Sequence, residues 1–260
     1  MKFHYHHFPE IYSVEVSTQE PITQIGKVSR FAHGISESEY EKEGISILHY
    51  DVFSVAENIT IDIEVLVSER LARQINRHRH MAIVQKSTRY NDYVHEPELD
   101  FYIPLGLSQE DEILWKRTIE SMPIWNEDMG EASIEEVNYL LPLCSMTKVH
   151  YHMNLRTLLH MFQVRLCSQA LPEFQHFLST LRDWIAEQST QWYYIMNRYG
   201  TPKCAQQRTF HCTHPELDCP GQSKWKAFSE NPPETILQKS KDYEDLKELE
   251  SLLLKDSLLK

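Results

Sequence analysis

The chain has 260 residues, 41% of them hydrophobic, and a formal net charge of -12. That length buries a sizeable core and suits one domain with appended segments, while only seven glycines argue against a loop-rich or low-complexity protein. The acidity disfavours an extended nucleic-acid interface, which needs a broad basic surface to release counterions. No stretch approaches the roughly 18 apolar residues of a membrane span, and the opening MKFHYHHFPEIYSVEV holds no apolar run resembling a signal peptide. A cytoplasmic protein is expected, with no membrane and no nucleic acid as partner. Five cysteines, an odd number without secretory features, fit reduced thiols.

In chain order, KFHYHHF predicts a strand with His4 and His6 on one face, more simply surface histidines than metal ligands. A moderately polar segment follows, and the acidic stretch Glu37 to Glu43 reads as helical. From Ile59 to Val67, ITIDIEVLV alternates and predicts a half-buried strand. Ser68 then caps a helix with Glu69 in its first turn. On that helix Arg73 and Arg77, and Gln74 and His78, fall four apart, while Leu71, Ala72 and Ile75 pack inward. HEPELDFYIP predicts a loop and a short extended piece. Residues 108–124 and 133–144 look helical; Ser133 with Glu136 forms a capping box, and Pro142 ends the second run. From Met153 onward, Leu155, Leu158, Leu159 and Phe162 make a helical apolar face opposite Arg156, His160 and Gln163, with Arg165 near the end. Residues 176–197 continue in helical style until Gly200-Thr201-Pro202.

A loop-like region then carries Cys204, His211, Cys212, His214 and Cys219. Their spacing matches no standard zinc site and lacks a C-x2-C unit, so no metal is assigned. Leu246, Leu249 and Leu253 are spaced for a terminal amphipathic helix. The expected organisation is a catalytic domain over 1–200 and an extension over 201–260.

The strongest chemical signal lies between Arg70 and Arg89. Arg70, Arg73, Arg77, Arg79, Lys86 and Arg89 have no Asp or Glu among them, in a chain that is acidic overall. A solvated helix face usually alternates signs, so this run wants an anion, and a phosphate-bearing ligand is the economical one.

Arg77-His78-Arg79, seven residues, Ser87, then Thr88-Arg89-Tyr90 resembles the signature of the flavin-dependent thymidylate synthases. Other segments agree in order: Ser54-Val55-Ala56-Glu57-Asn58 is similar to the family's flavin-touching Ser-Val-x-Glu-His, Phe101-Tyr102-Ile103-Pro104 and Leu141-Pro142-Leu143 follow, and Asn154-x-Arg156 with Arg165 resembles its flavin pair and nucleotide arginine. The resemblance covers about residues 25 to 200.

It implies an α/β (α+β) subunit with a mixed, antiparallel-rich sheet and flanking helices, and a homotetramer holding FAD between subunits. The reaction implied is methylation of dUMP at C5 to dTMP, with methylenetetrahydrofolate as carbon donor and NADPH reducing the flavin. By the same resemblance Gln74, Arg77, Gln85, Ser87, Arg89 and Arg165 serve dUMP, with Arg165 and Ser87 the candidates closest to the chemistry. Ser54, Glu57, His78, Arg79, His80, Asn154, Arg156 and His160 serve FAD or its surroundings. No cysteine nucleophile is required in this family, and Ser87 reads as a nucleotide-positioning hydroxyl, since no Ser-His-Asp arrangement can be read here.

The chain departs from the pattern where the family usually shows Asn-Glu and this sequence has Val84-Gln85, and where a phosphate-binding arginine appears as Asn138. The histidine after Glu57 is Asn58, and the family's His-Ala-Gln-Trp-Glu reads Gln169-Ala170-Leu171-Pro172-Glu173. Losing one arginine–phosphate contact costs about 1.5–3 kcal/mol unless another cation replaces it. These departures keep open a related C5 modification of another pyrimidine nucleotide, such as hydroxymethylation, and a non-catalytic nucleotide- or flavin-binding protein.

Overall fold

A computed structural model describes residues 2–50, 52–91, 93, 96–122 and 133–203, together with 245, 248 and 251. Leu246, Leu249 and Leu253 of the expected terminal helix, and the cysteine- and histidine-bearing loop from Cys204 to Cys219, lie outside the described residues. The fold is mixed α/β, with a two-stranded and a four-stranded sheet. It divides into two compact units, each discontinuous in sequence: residues 1–13 with 63–151, and residues 14–62 with 152 onward.

In the first unit, β1 (Lys2–His6) pairs in parallel with β5 (Glu98–Tyr102). The buried side of this pair, Leu99 and Phe101, packs with Tyr93 and Ile119, and Phe3, Tyr5 and Trp115 close over it. Ile119 comes from α4 (Gln109–Glu120), which starts where Ser108 Oγ accepts from the Asp111 amide at 3.1 Å. The first strand forms as the sequence predicts, but His6 is not a surface histidine. Its Nε2 lies 2.6 Å from Asp100 and its Nδ1 2.9 Å from Glu10.

The larger sheet runs in the order β2 (Glu10–Val16), β3 (Thr60–Ser68), β6 (Met146–Asn154), β4 (Met81–Gln85). The Leu155 amide donates to Ile59 O and the Glu69 amide to Ser145 O, both at 2.9 Å, so β3 and β6 are antiparallel. The alternating isoleucines and valines of β3 are buried as expected, and Leu66 on the other face is buried too, against Tyr102 and Met146. The sequence reading did not recognise β6, although Val149, Tyr151 and Met153 alternate inward along it.

The second unit is mainly helical. Two helices precede β3 where the sequence suggested only a polar segment and an acidic helix: α1 (Pro21–His33) and α2 (Tyr40–His49). Pro21 opens α1 without a side-chain cap of its own. The orphan amides of Ile22 and Thr23 are met instead by Gln191 Oε1, at 2.8 and 3.2 Å. Gln191 belongs to α8 (Thr190–Tyr199), which follows α7 (Pro172–Ala186) and α6 (Leu155–Arg165). The expected single helical run over 176–197 is thus two helices, since Ser189 caps a new one at the Trp192 amide. Trp192, Phe174, Phe177 and Leu181 form the centre of the unit.

Helices α1 and α2 touch backbone to backbone. A Cβ on Gly26 would lie 1.9 Å from the Tyr40 carbonyl oxygen, and one on Gly44 would lie 2.1 Å from that of Ile22. Replacing Gly26 by Ala should gain about 1 kcal/mol of helix propensity but cost about 1–3 kcal/mol or more in overpacking against backbone that cannot rotate away. The Gly26→Ala variant is therefore expected to unfold at lower temperature and denaturant; an unchanged midpoint would show that the helices separate freely.

The His6–Asp100 hydrogen bond raises the His6 pKa against the opposing effect of burial, with Glu10 adding to it, and lowers that of Asp100. The His6 contribution to stability is fully present below the ordinary histidine value and is lost as pH rises through the raised one. The Asp100 contribution is present above the ordinary aspartate value and is lost as pH falls through the lowered one. Stability should peak between these limits, and His6→Ala should flatten both edges of a thermal-midpoint versus pH curve.

Candidate functional site

Ser68, the last residue of β3, accepts from the Leu71 amide at 3.0 Å and starts α3 (Glu69–Ile75). Leu71, Ala72 and Ile75 are buried, as the sequence predicts. The helix is shorter than expected, however: Asn76 is its C-cap, and Arg77 and His78 lie beyond it, in turns closed by Arg77 N–Gln74 O and His78 N–Ile75 O contacts. The four-residue spacings therefore do not place Arg77 and His78 on a common helical flank with Arg73 and Gln74. The chain has to reverse into β4 within a few residues, and His80 does so in the left-handed region, at φ 66°. Such a backbone costs of order 1–3 kcal/mol for a residue with a Cβ and is found at sites that require a particular aim.

After β4 the chain enters a tight turn. Ser87 Oγ accepts from the Arg89 amide at 3.1 Å, and Ser87 O accepts from the Asn91 amide at 3.3 Å and from Asn91 Nδ2 at 2.8 Å. A hydroxyl and a guanidinium are thereby presented two residues apart on a hydrogen-bonded loop.

The basic run is not left wholly to a ligand. Lys86 pairs with Glu96, and Arg89 Nε lies 3.3 Å from Glu135. Acids that lie beyond the run thus neutralise part of its charge. Arg70 and Arg77 form no ion pair among the described residues.

A polar network joins the two ends of α3 to the neighbouring strands. Gln85 Nε2 donates to both carboxylate oxygens of Glu69, at 3.0 and 3.2 Å. Gln85 Oε1 lies 3.5 Å from Asn76 Nδ2, and Asn76 Oδ1 accepts from the buried Tyr151 hydroxyl at 3.3 Å. Burial raises the Glu69 pKa, opposed by Arg73 and by the Gln85 amide. Burial also raises Tyr151, with Glu69 adding to it. A glutamate at position 85 would set a second carboxylate against Glu69; glutamine keeps the reach and removes the repulsion.

In the second unit, the last residue of β6 repeats the capping arrangement. Asn154 Oδ1 accepts from the Thr157 amide at 2.9 Å and starts α6. Its amide hydrogens are uncommitted among the described residues. Arg156, the second residue of α6, meets Glu57 at 2.5 Å, and Glu57 sits with Ser54 at the short 3-10 turn Val55–Asn58. Both side chains of that pair are about half exposed, so the pair contributes at most about 1 kcal/mol and yields readily to a ligand. His160 is exposed one turn further along the same helix. Arg165 stands at the far end, about 14 Å along the axis, its guanidinium 5.6 Å from the Phe174 ring centroid.

The sequence-predicted residues thus fall into two sets. Gln74 near the end of α3, then Arg77, His78, Arg79, His80, Gln85, Ser87 and Arg89, follow one another through the α3–β4 turn, β4 and the next loop of the first unit. Ser54, Glu57, Asn154, Arg156 and His160 gather around the start of α6 in the second unit, and Arg165 lies apart at its end.

The family model described as "Thymidylate synthase complementing protein" matches residues 12–189. The chain belongs to this family. Among curated relatives, the flavin-dependent thymidylate synthase of Pyrococcus furiosus is 28% identical over 208 residues, covering 76% of this chain and 84% of that one. That of Clostridium tetani is 25% identical over 195 residues, covering 68% and 77%. A solved structure of the flavin-dependent thymidylate synthase ThyX from Helicobacter pylori, complexed with FAD and dUMP, superposes with a TM-score of 0.54 at 18% identity, over 68% of this chain and 92% of that one. At that identity the superposition speaks for the fold.

Within this family member the sequence reading did not single out Asn76, Glu96 or Glu135, and gave Glu69 only a helix-dipole role. Each acts through a contact between different elements or loops, for which no local periodicity or motif exists. The Glu69–Gln85 contact has a direct check. Gln85→Glu should destabilise the protein increasingly as pH rises through the carboxylate range, because two carboxylates within hydrogen-bonding distance cannot both ionise cheaply. The double variant Glu69→Gln/Gln85→Glu should restore the wild-type pH dependence in thermal unfolding; failure to do so would show that Glu69 acts elsewhere.

Proposed function

We propose that the chain is a flavin-dependent thymidylate synthase that methylates dUMP at C5 to dTMP, with methylenetetrahydrofolate as carbon donor and NADPH as reductant. Besides the family membership, the observation that carries this reading is the Ser87–Asn91 loop, which holds a hydroxyl and an arginine two residues apart, with the uncommitted Arg77 on the preceding turn. Guanidinium groups stay charged and offer paired donors suited to phosphate and to uracil carbonyls. Gln74, Arg77, Gln85, Ser87, Arg89 and Arg165 are assigned to dUMP on this reading. On this reading Ser87 and Arg165 are the candidates for the chemistry, with Ser87 a positioning hydroxyl rather than a nucleophile.

The start of α6 fits a flavin dinucleotide. Asn154 has amide hydrogens to give, and among the described residues Arg156 is held by one half-exposed carboxylate. Ser54, Glu57, Asn154, Arg156 and His160, with His78, Arg79 and His80, are the residues assigned to it. FAD, when bound, supplies the redox chemistry, accepting electrons from NADPH. The net change breaks the methylene group's bonds to the folate nitrogens and the C5–H bond of the uracil, forms a carbon–carbon bond at C5, and reduces the transferred unit to a methyl group with the two electrons of NADPH, leaving tetrahydrofolate and the released C5 proton. The protein's own part is to orient the ligands and to stabilise developing charge. A homotetramer completes the proposal and is checked by sedimentation of the FAD-loaded protein.

Mass spectrometry after incubation with FAD, dUMP, methylenetetrahydrofolate and NADPH should show one methyl group gained by the uracil, dependent on every component. A hydroxymethyl group on another pyrimidine nucleotide would instead support the related C5 modification, for which the Val84-Gln85 and Asn138 departures speak. Arg165→Ala should weaken dUMP binding by about 10-fold to 100-fold, the value of a charged hydrogen bond, while retaining flavin. Asn154→Ala should do the reverse, and equal loss of both ligands in either variant would contradict the assignment.

A further inference from the structure

Asn138 occupies the position at which the family pattern has a phosphate-binding arginine, and its surroundings give it different work. It ends the short helix α5 (Ile134–Asn138), which Ser133 and Glu136 start with a capping box in which both reciprocal bonds are made. Its side chain is buried, with a relative exposure of 7%. Nδ2 donates to Thr88 O at 2.6 Å and to Asn91 O at 2.8 Å. Because both neighbours are carbonyl acceptors, only the NH2 end of the amide can face them, so its orientation is forced. Oδ1 is buried with no hydrogen-bond partner among the described residues, an arrangement that is tolerated only if the two donor contacts outweigh it. From the same helix, Glu135 reaches Arg89 at 3.3 Å.

With both hydrogens committed, Asn138 has no donor left for a phosphate. The two carbonyls it holds belong to the Ser87–Asn91 loop and lie on either side of Arg89, one of them on the residue that follows Ser87. We propose that Asn138 is a positioning residue that clamps the Ser87–Asn91 loop into its binding conformation, substituting preorganisation of the loop for a direct charge on the nucleotide. A loop already ordered loses less entropy when ligand binds, which strengthens binding without adding a contact. The ligand half of this proposal rests on the dUMP reading; the clamp does not.

The test uses the full chain loaded with FAD, with Asn138→Ala and Asn138→Asp as variants. Hydrogen–deuterium exchange without nucleotide reports the loop through the amides of Arg89, Asn91 and Tyr93, which bond within it. The amides of Thr60–Ser68 report whether the fold is intact. Both variants should exchange about tenfold faster in the loop with the strand unchanged, and calorimetry should show dUMP binding weakened about tenfold, a change of about 1.4 kcal/mol. The Asp variant should regain protection as pH falls, because the protonated carboxyl restores one donor, a recovery that a merely space-filling role would not produce. Unchanged loop exchange in both variants overturns the clamp. Faster exchange with unchanged dUMP affinity overturns the positioning role. If the wild-type protein binds no dUMP, the nucleotide reading fails, whereas the clamp still stands or falls on the exchange rates.

Discussion

A strand whose last side chain folds back onto the amides of the next helix is the constraint on which both candidate residue sets depend. Ser68 does this for α3 and Asn154 for α6. Each cap satisfies an orphan donor and is worth about 1 kcal/mol, and each fixes where the helix starts relative to the sheet. Because β3 and β6 are antiparallel neighbours, the first helical amides also bond to the facing strand's flank: Glu69 to Ser145, and Leu155 to Ile59. The phase of each helix is set by these bonds. Hence Glu69 faces Gln85, and Arg156 faces Glu57.

Electrostatics in the first unit follow from this placement. The basic run between Arg70 and Arg89 looks unbalanced when read linearly, yet Glu96 and Glu135 return to meet Lys86 and Arg89. Glu69 is brought against Gln85 and partly buried, which raises its pKa. The departures from the family pattern then become interpretable. Gln85 avoids a carboxylate pair with Glu69, and Asn138 serves two carbonyls of the loop, which a guanidinium directed at phosphate would leave unmet. On the proposed reading, a substitution that looks like the loss of a ligand contact supports the loop that carries Ser87 and Arg89.

The second unit relies on shape where the first relies on polar contacts. Gly26 and Gly44 let α1 and α2 approach until backbone meets backbone. Gln191 supplies from α8 the capping that α1 lacks locally. These features fix a helical body from which the start of α6, with Asn154 and Arg156, projects its polar groups.

The sequence by itself determined the elements whose signal is local. The alternation of Ile59 to Val67 became β3, Ser68 and Ser133 became caps, and the apolar face of Leu155, Leu158, Leu159 and Phe162 became the buried side of α6. It also identified the family, because the spacing of Arg77, His78, Arg79, Ser87 and Arg89 survives as a string. The tertiary structure decided what had no local signal. It stopped α3 at Ile75, inserted β6, enclosed His6 between Asp100 and Glu10, and gave Asn138 its two carbonyls. Those outcomes depend on which atoms meet across long sequence separations, and a period or a motif carries no information about the far side of such a contact.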